Sequence, residues 1–285
     1  MKFRLFPILL ALTLAHSSLI EAATTITGTN AMAYGANIGW IDWRGDTNNG
    51  AVIGDYVCSG YIYSANVGWI HLGSGNPANR IRYQNNSASD YGVNQDGLGN
   101  LQGLAYGANI GWVNFETNGQ PRVDLVTGRF SGSIWSANCG WIGLSNAFAF
   151  VQTSTIDPGA DTDHDGIPDT WELTHVGALG ILWATGDADG DGFTDLEEYL
   201  ADTNPLDPTD NLRITFISRT GTATEVRWTS QPTRSYVLER RTFVDDSLGW
   251  QSFLSYAGLG WNDATFESAP NSSFYRVRAI KPLSP

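Results

Sequence analysis

The sequence predicts a mainly β, modular protein: a duplicated β-repeat domain, an acidic loop–helix spacer and a small C-terminal β-sandwich. Three observations carry that expectation. A Trp-containing pentad recurs four times in the first half, each time followed by two-residue alternation. The negative balance of the chain lies in one sixty-residue stretch, and the last seventy residues alternate again as strands. With 42% apolar residues among 285, the chain buries a sizeable core. A formal charge of −13 argues against nucleic acid or an anionic membrane surface as partner, since both need clustered Lys and Arg.

Residues 1–23 read as a secretory signal peptide. Lys2 and Arg4 give the basic start, Leu5 to Ala15 the short apolar run, and Ile20-Glu21-Ala22-Ala23 a small-residue cleavage zone. That run is too short to span a bilayer, and no later stretch approaches the required length. The mature chain is therefore expected to be exported without a transmembrane segment, secreted or held at the cell surface by other molecules. Its two cysteines, Cys58 and Cys139, suggest one disulfide in an oxidising compartment. Such a bond closes a long loop and contributes roughly 4–5 kcal/mol in chain-entropy terms. The alternative is two buried thiols behaving as small apolar residues.

Residues 24–150 form the repeat domain. Ala-Asn-x-Gly-Trp occurs with its Asn at Asn37, Asn66, Asn109 and Asn138, so the spacings are 29, 43 and 29 and the larger unit is itself a pair. Two equivalent halves follow, each of two hairpin-like units sharing one core. After Trp40, Trp69, Trp112 and Trp141 come Ile41, Ile70, Val113 and Ile142. Two positions further on stand Trp43, Leu72, Phe115 and Leu144, with Asp42, His71, Asn114 and Gly143 between. This is strand alternation. It sends the aliphatic positions inward and the four repeated Trp to the polar face. The Asn two residues before Gly suits a turn needing left-handed backbone. Two readings of the Trp face stand. The rings stack on sugars as a lectin-like surface for extracellular polysaccharide, or they pack under a neighbouring loop or repeat. Trp is large and usually packs, which favours the second. The repeats resemble those of uncharacterised exported bacterial proteins, which implies a context and no activity.

Residues 151–210 hold fifteen Asp and Glu and no Lys or Arg. The acids are ordered, not scattered. Asp161, Asp163, Asp165, Asp169 and Glu172 fall at positions 1, 3, 5, 9 and 12 of a loop with Gly166 at position 6. Asp187, Asp189, Asp191, Asp195 and Glu198 repeat every placement around Gly192. That is the pattern of an EF-type calcium loop: side-chain oxygens at 1, 3 and 5, and the carbonyl of Ile167 or Phe193 at 7. Position 9 often acts through water, and a bidentate Glu closes the site at 12. Thr194 with Glu197 makes a capping box for a short helix, and Pro168 sits where another can begin. No helical pattern precedes either loop, so structural calcium is favoured over a sensor that opens two helices. The segment, about 157–210, resembles the thrombospondin type 3 repeats of bacterial surface and secreted proteins. Asp187 to Asp210 is similar to that family's acidic loop, short helix and Thr-Asn-Pro tail; the first unit lacks the tail. The resemblance implies that calcium orders an otherwise wormlike segment. Dockerins, which pair two calcium loops for scaffold binding, are the alternative analogy, but they carry Asp at position 12.

Residues 211–285 alternate at Leu212–Phe216, Glu225–Trp228, Tyr236–Arg240 and Phe274–Ala279. Their Val-x-Trp, Tyr-x-Leu and Tyr-x-Val-x-Ala order is similar to a short fibronectin type III-like sandwich, which implies spacing or adhesion. No nucleophile elbow, metalloprotease helix, phosphate loop or dinucleotide fingerprint occurs. The expected role is extracellular structure and adhesion without catalysis, with calcium ions as cofactor and surface proteins or polysaccharide as further partners.

Overall fold

The computed structural model describes residues 24–45, 48–115, 118–241, 249–256, 262–267 and 273–284. The expected signal peptide, 1–23, lies outside them. Each Ala-Asn-x-Gly-Trp repeat is the turn and second strand of a hairpin. The four hairpins are β1 (Ile26–Gly35) with β2 (Gly39–Asp42), β3 (Cys58–Ser64) with β4 (Gly68–Ser74), β5 (Leu101–Gly107) with β6 (Gly111–Asn114), and β7 (Ser133–Ser136) with β8 (Gly140–Gly143). Each pairs with the next, and β8 pairs back onto β1, which closes an eight-stranded antiparallel barrel. The hairpin junctions share one register: Asp42 faces Tyr63, His71 faces Tyr106, Asn114 faces Trp135 and Gly143 faces Tyr34. The duplication read from sequence thus becomes a ring of four hairpins around one core.

Alternation decides what fills the barrel. Ile41, Ile70, Val113 and Ile142 point inward, fully buried, with Trp43, Leu72, Phe115 and Leu144 one step further along. Across each hairpin stand Ala33, Ile62, Ala105 and Ile134, so small and large residues alternate around the ring. Trp43 lies edge-on to Phe130 at 5.1 Å and to Phe115 at 6.5 Å.

The turns close one end. Gly39, Gly68, Gly111 and Gly140 all have φ between 69 and 79°, so the left-handed residue is the Gly after the turn and not the Asn. The Asn side chains do something else. Each donates its Nδ2 to the carbonyl of the x residue in the preceding turn: Asn66 to Ile38, Asn109 to Val67, Asn138 to Ile110 and Asn37 to Cys139, all at 3.0–3.1 Å. Four amides in a closed circle tie the turns together, while Ile38, Ile110 and Cys139 bury their side chains beneath it.

That circle corrects the disulfide expectation. Cys139 plugs the turn end, as the repeat's fourth x residue. Cys58 opens β3 at the opposite end, six residues before its turn, which is roughly 20 Å along a strand. A disulfide needs Cα atoms within about 7 Å. Both cysteines are free and buried, and burial pushes the Cys58 thiol up to about 12.

The C-terminal part comprises β9 (Ile214–Thr220), β10 (Ala223–Trp228), β11 (Ser235–Arg241), β12 (Gln251–Tyr256), β13 (Asp263–Glu267) and β14 (Phe274–Ile280). They form two three-stranded antiparallel sheets, ordered β9-β10-β13 and β12-β11-β14. Val226 and Trp228 of one sheet share a core with Tyr236 and Leu238 of the other. The chain then returns to the barrel: Lys281 Nζ bonds Asp55, and Ile156 N–H donates to the Leu283 carbonyl at 2.8 Å.

Candidate calcium centre

Between barrel and sandwich the acidic segment folds as two loop–helix units. Helix α1 spans Asp169–His175 and α2 spans Asp195–Ala201. The expected capping box is present, with Glu197 N–H on Thr194 Oγ1 and Thr194 N–H on Glu197 Oε2. Pro168 takes the N-cap position in extended backbone, without a side-chain cap. A small core of Ile167, Trp171, Leu182 and Tyr199 sits under both loops.

Both loops have the same internal wiring, from different residues. At position 1, Asp161 accepts from His164 N–H at 2.8 Å and Gly166 N–H at 2.9 Å; Asp187 accepts from Gly190 at 2.8 Å and Gly192 at 3.0 Å. At position 5, Asp165 and Asp191 each accept the position-7 amide at 2.8 Å. These bonds curl each loop until the carboxylates of Asp161, Asp163 and Asp165, and those of Asp187, Asp189 and Asp191, converge within 4.8 Å of one another. Gly166 and Gly192, at φ 93 and 95°, make the bend that L side chains resist.

Position 9 also braces the loop. The buried carboxylates of Asp169 and Asp195 reach back to the position-2 amide, Thr162 at 2.7 Å and Ala188 at 3.0 Å. Asp169 also accepts from Thr162 Oγ1 and from Arg80 of the barrel at 3.0 Å; Asp195 accepts from Trp183 N–H. These acids fasten the loop to its helix.

Position 12 is where charge is hardest to hold. Glu172 and Glu198 are 0% and 1% exposed. One oxygen of each is satisfied, by Gly180 N–H at 2.9 Å and by Thr203 Oγ1 at 3.3 Å. The second oxygen of each, and Oδ2 of Asp189, is buried with no hydrogen-bond partner. Burial, reinforced by Asp189 and Asp191, lifts the Glu198 carboxyl to about 8; burial likewise raises Glu172 and Asp189. An orphaned buried carboxylate oxygen is costly unless a cation meets it. The donor set is all oxygen and dense in negative charge, which suits a hard cation taking six to eight ligands. The residues fit calcium.

Several supports carry no loop signature. Arg80 comes from the barrel, Thr203 belongs to the Thr-Asn-Pro tail, and Asn211 bonds Asp191 Oδ2 at 2.7 Å. Of these only Thr203 had a sequence signal, through the tail; in the first unit, which lacks it, a backbone amide serves Glu172. The four repeat Trp lie far from this centre in sequence and are half-exposed on the barrel wall, at 46, 43, 43 and 51%. Burial under a neighbouring loop, the favoured reading of the sequence, is therefore corrected. Their cover is partial: the backbone at Gly45 lies against the Trp69 ring and that at Gly119 against the Trp141 ring.

Residues 161–177 and 187–208 match the family model of the bacterial TSP3 repeat, the two loop–helix units just described. No curated protein and no solved structure matches the chain.

Proposed function

We propose that this is a secreted or cell-surface structural and adhesion protein whose two calcium ions rigidify the segment joining barrel to sandwich. The observation that carries the reading is the pair of buried, unpartnered oxygens, Glu172 Oε2 and Glu198 Oε2, at the closing position of two identically wired loops. Ile167 and Phe193 would add position-7 carbonyls. The acidic segment is braced on both sides: Arg80 holds α1 to the barrel, and Arg234 of the sandwich donates to the Tyr199 and Leu200 carbonyls of α2 at 2.8 Å. Ordering the loops therefore orders the joint. The millimolar calcium of an extracellular setting suits sites with dissociation constants on the order of 10⁻⁴ to 10⁻³ M.

Calorimetry and melting of the mature chain in calcium or chelator test this. At a hundredfold excess over the dissociation constant, each ion stabilises the folded chain by about 2.7 kcal/mol. Limited proteolysis in chelator should cut within 157–210 first. Glu198→Gln should remove the second site and spare the first, and magnesium should replace calcium poorly because it demands tighter octahedral geometry. Absence of heat, of a melting shift and of any change in proteolysis sinks the proposal.

A further inference from the structure

The barrel carries a surface that the calcium reading does not use. Each repeat Trp pairs across its hairpin with another aromatic residue one step before the turn: Tyr34 with Trp40, Tyr63 with Trp69, Tyr106 with Trp112, Trp135 with Trp141. Because the four turns share one end of the barrel, these pairs form a collar around that end. All eight rings are exposed by a third or more. Exposed aromatic area of this extent marks an interaction surface.

The surroundings select the partner. The collar and the Ala-Asn turns above it contain no charged residue, and residues 24–150 have no Lys, five Arg and seven Asp or Glu. A polyanion finds no cationic patch there. A bilayer fits no better. The apex exposes Ala36 and Asn37 and their repeats, while the apolar x side chains that would insert are turned inward. Uncharged rings beside single polar groups match a ligand with apolar C–H faces and many hydroxyls. The shared junction register supplies one such group at three of the four pairs: Asp42 beside Tyr63, His71 beside Tyr106 and Asn114 beside Trp135.

The four positions are not equal. Tyr91 lies across the third, its hydroxyl 2.8 Å from His71 Nδ1 and its ring 5.0 Å from Trp112. The first has Gly143 in place of a polar side chain. At the second, Trp69 is flanked by Tyr63 at 4.8 Å and Tyr61 at 6.2 Å, with Asp42 next in register. We propose that the collar binds a neutral polysaccharide, and that Asp42, Tyr63 and Trp69 form its principal subsite: the rings stack on pyranose faces and the carboxylate accepts from hydroxyls.

The test is affinity electrophoresis of the mature chain in native gels cast with a soluble β-glucan, a mannan or a xylan, beside flotation with phosphatidylcholine vesicles. Retardation is expected in at least one gel, undiminished by high salt or by chelator. Trp69→Ala and Asp42→Ala should each weaken it about tenfold in a chain that still melts cooperatively, and Trp69→Phe should keep most of it. Passage unretarded through all three gels overturns the proposal, as does flotation with vesicles in its place. Retardation that chelator abolishes also overturns it, by assigning binding to the acidic segment. The calcium titration is a separate readout, so either reading can fail alone.

Discussion

The barrel and the acidic segment are both built by repeating a unit, yet opposite forces hold them. In the barrel each hairpin adds apolar side chains to a common interior, and closure removes the sheet edges that a single hairpin would leave open. In the acidic segment each unit adds five carboxylates to a core of four buried residues, Ile167, Trp171, Leu182 and Tyr199. Its own charges repel one another across that small core. Repetition thus adds apolar burial in one region and concentrated negative charge in the other.

Trp43→Ala tests the barrel side and has the largest expected effect. The side chain is 1% exposed between Phe115 and Phe130, and its removal should cost about 3–5 kcal/mol. Trp43→Phe should cost much less, since its indole Nε1 makes no hydrogen bond among the described residues. Denaturant unfolding with and without calcium checks both. If the two regions are held independently, the loss is the same in calcium and in chelator.

How much of this was legible in the sequence follows the same division. Strict alternation after each Trp identified the inward residues because strand geometry leaves only two faces. The convergence of the carboxylates at positions 1, 3 and 5 was equally readable, because it depends on fixed offsets along one short chain. What could not be read depends on contacts between distant residues. Nothing local shows that Asn66 bonds the turn 28 residues before it, or that β8 returns to β1. The Trp face stayed open between two readings, because size and repetition suit packing as well as they suit a surface. Asp169 and Asp195 look like ligands in a loop pattern. Only the fold shows that each also accepts the position-2 amide of its loop.

On the acidic side, pH provides the next test. In the calcium-free chain the Glu198 carboxyl titrates near 8, above the ordinary range near 4.3 that holds when unfolded. The folded state then binds a proton that the unfolded state has released. Its stabilising contribution is present below about pH 4 and is lost as pH rises through 8. Calcium displaces that proton, so the melting rise on adding calcium should be larger at pH 8 than at pH 5. The Glu198→Gln variant, which has no carboxyl to titrate there, isolates the contribution. Equal calcium shifts at both pH values in the wild type would show that Glu198 does not close the site.

The smallest effect separates the two loops themselves. Position 4 is left-handed in both: His164 at φ 63° in the first and Gly190 at φ 79° in the second. Both donate their amide to the position-1 Asp at 2.8 Å, so the backbone task is identical and only the side chain differs. A left-handed non-Gly residue costs about 1–2 kcal/mol. The imidazole returns part of this through Nδ1, which lies 3.1 Å from the Thr162 carbonyl. Replacing it by Gly also adds about 0.5–1 kcal/mol of backbone entropy cost. His164→Gly should therefore tighten the first site only about two- to threefold. Gly190→His should weaken the second about two- to fivefold, because the strain is partly offset by the backbone entropy cost that glycine no longer adds. Two-site calorimetry on both variants resolves the difference. If Gly190→His leaves the second site unchanged, position 4 does not limit how readily either loop closes on its ion.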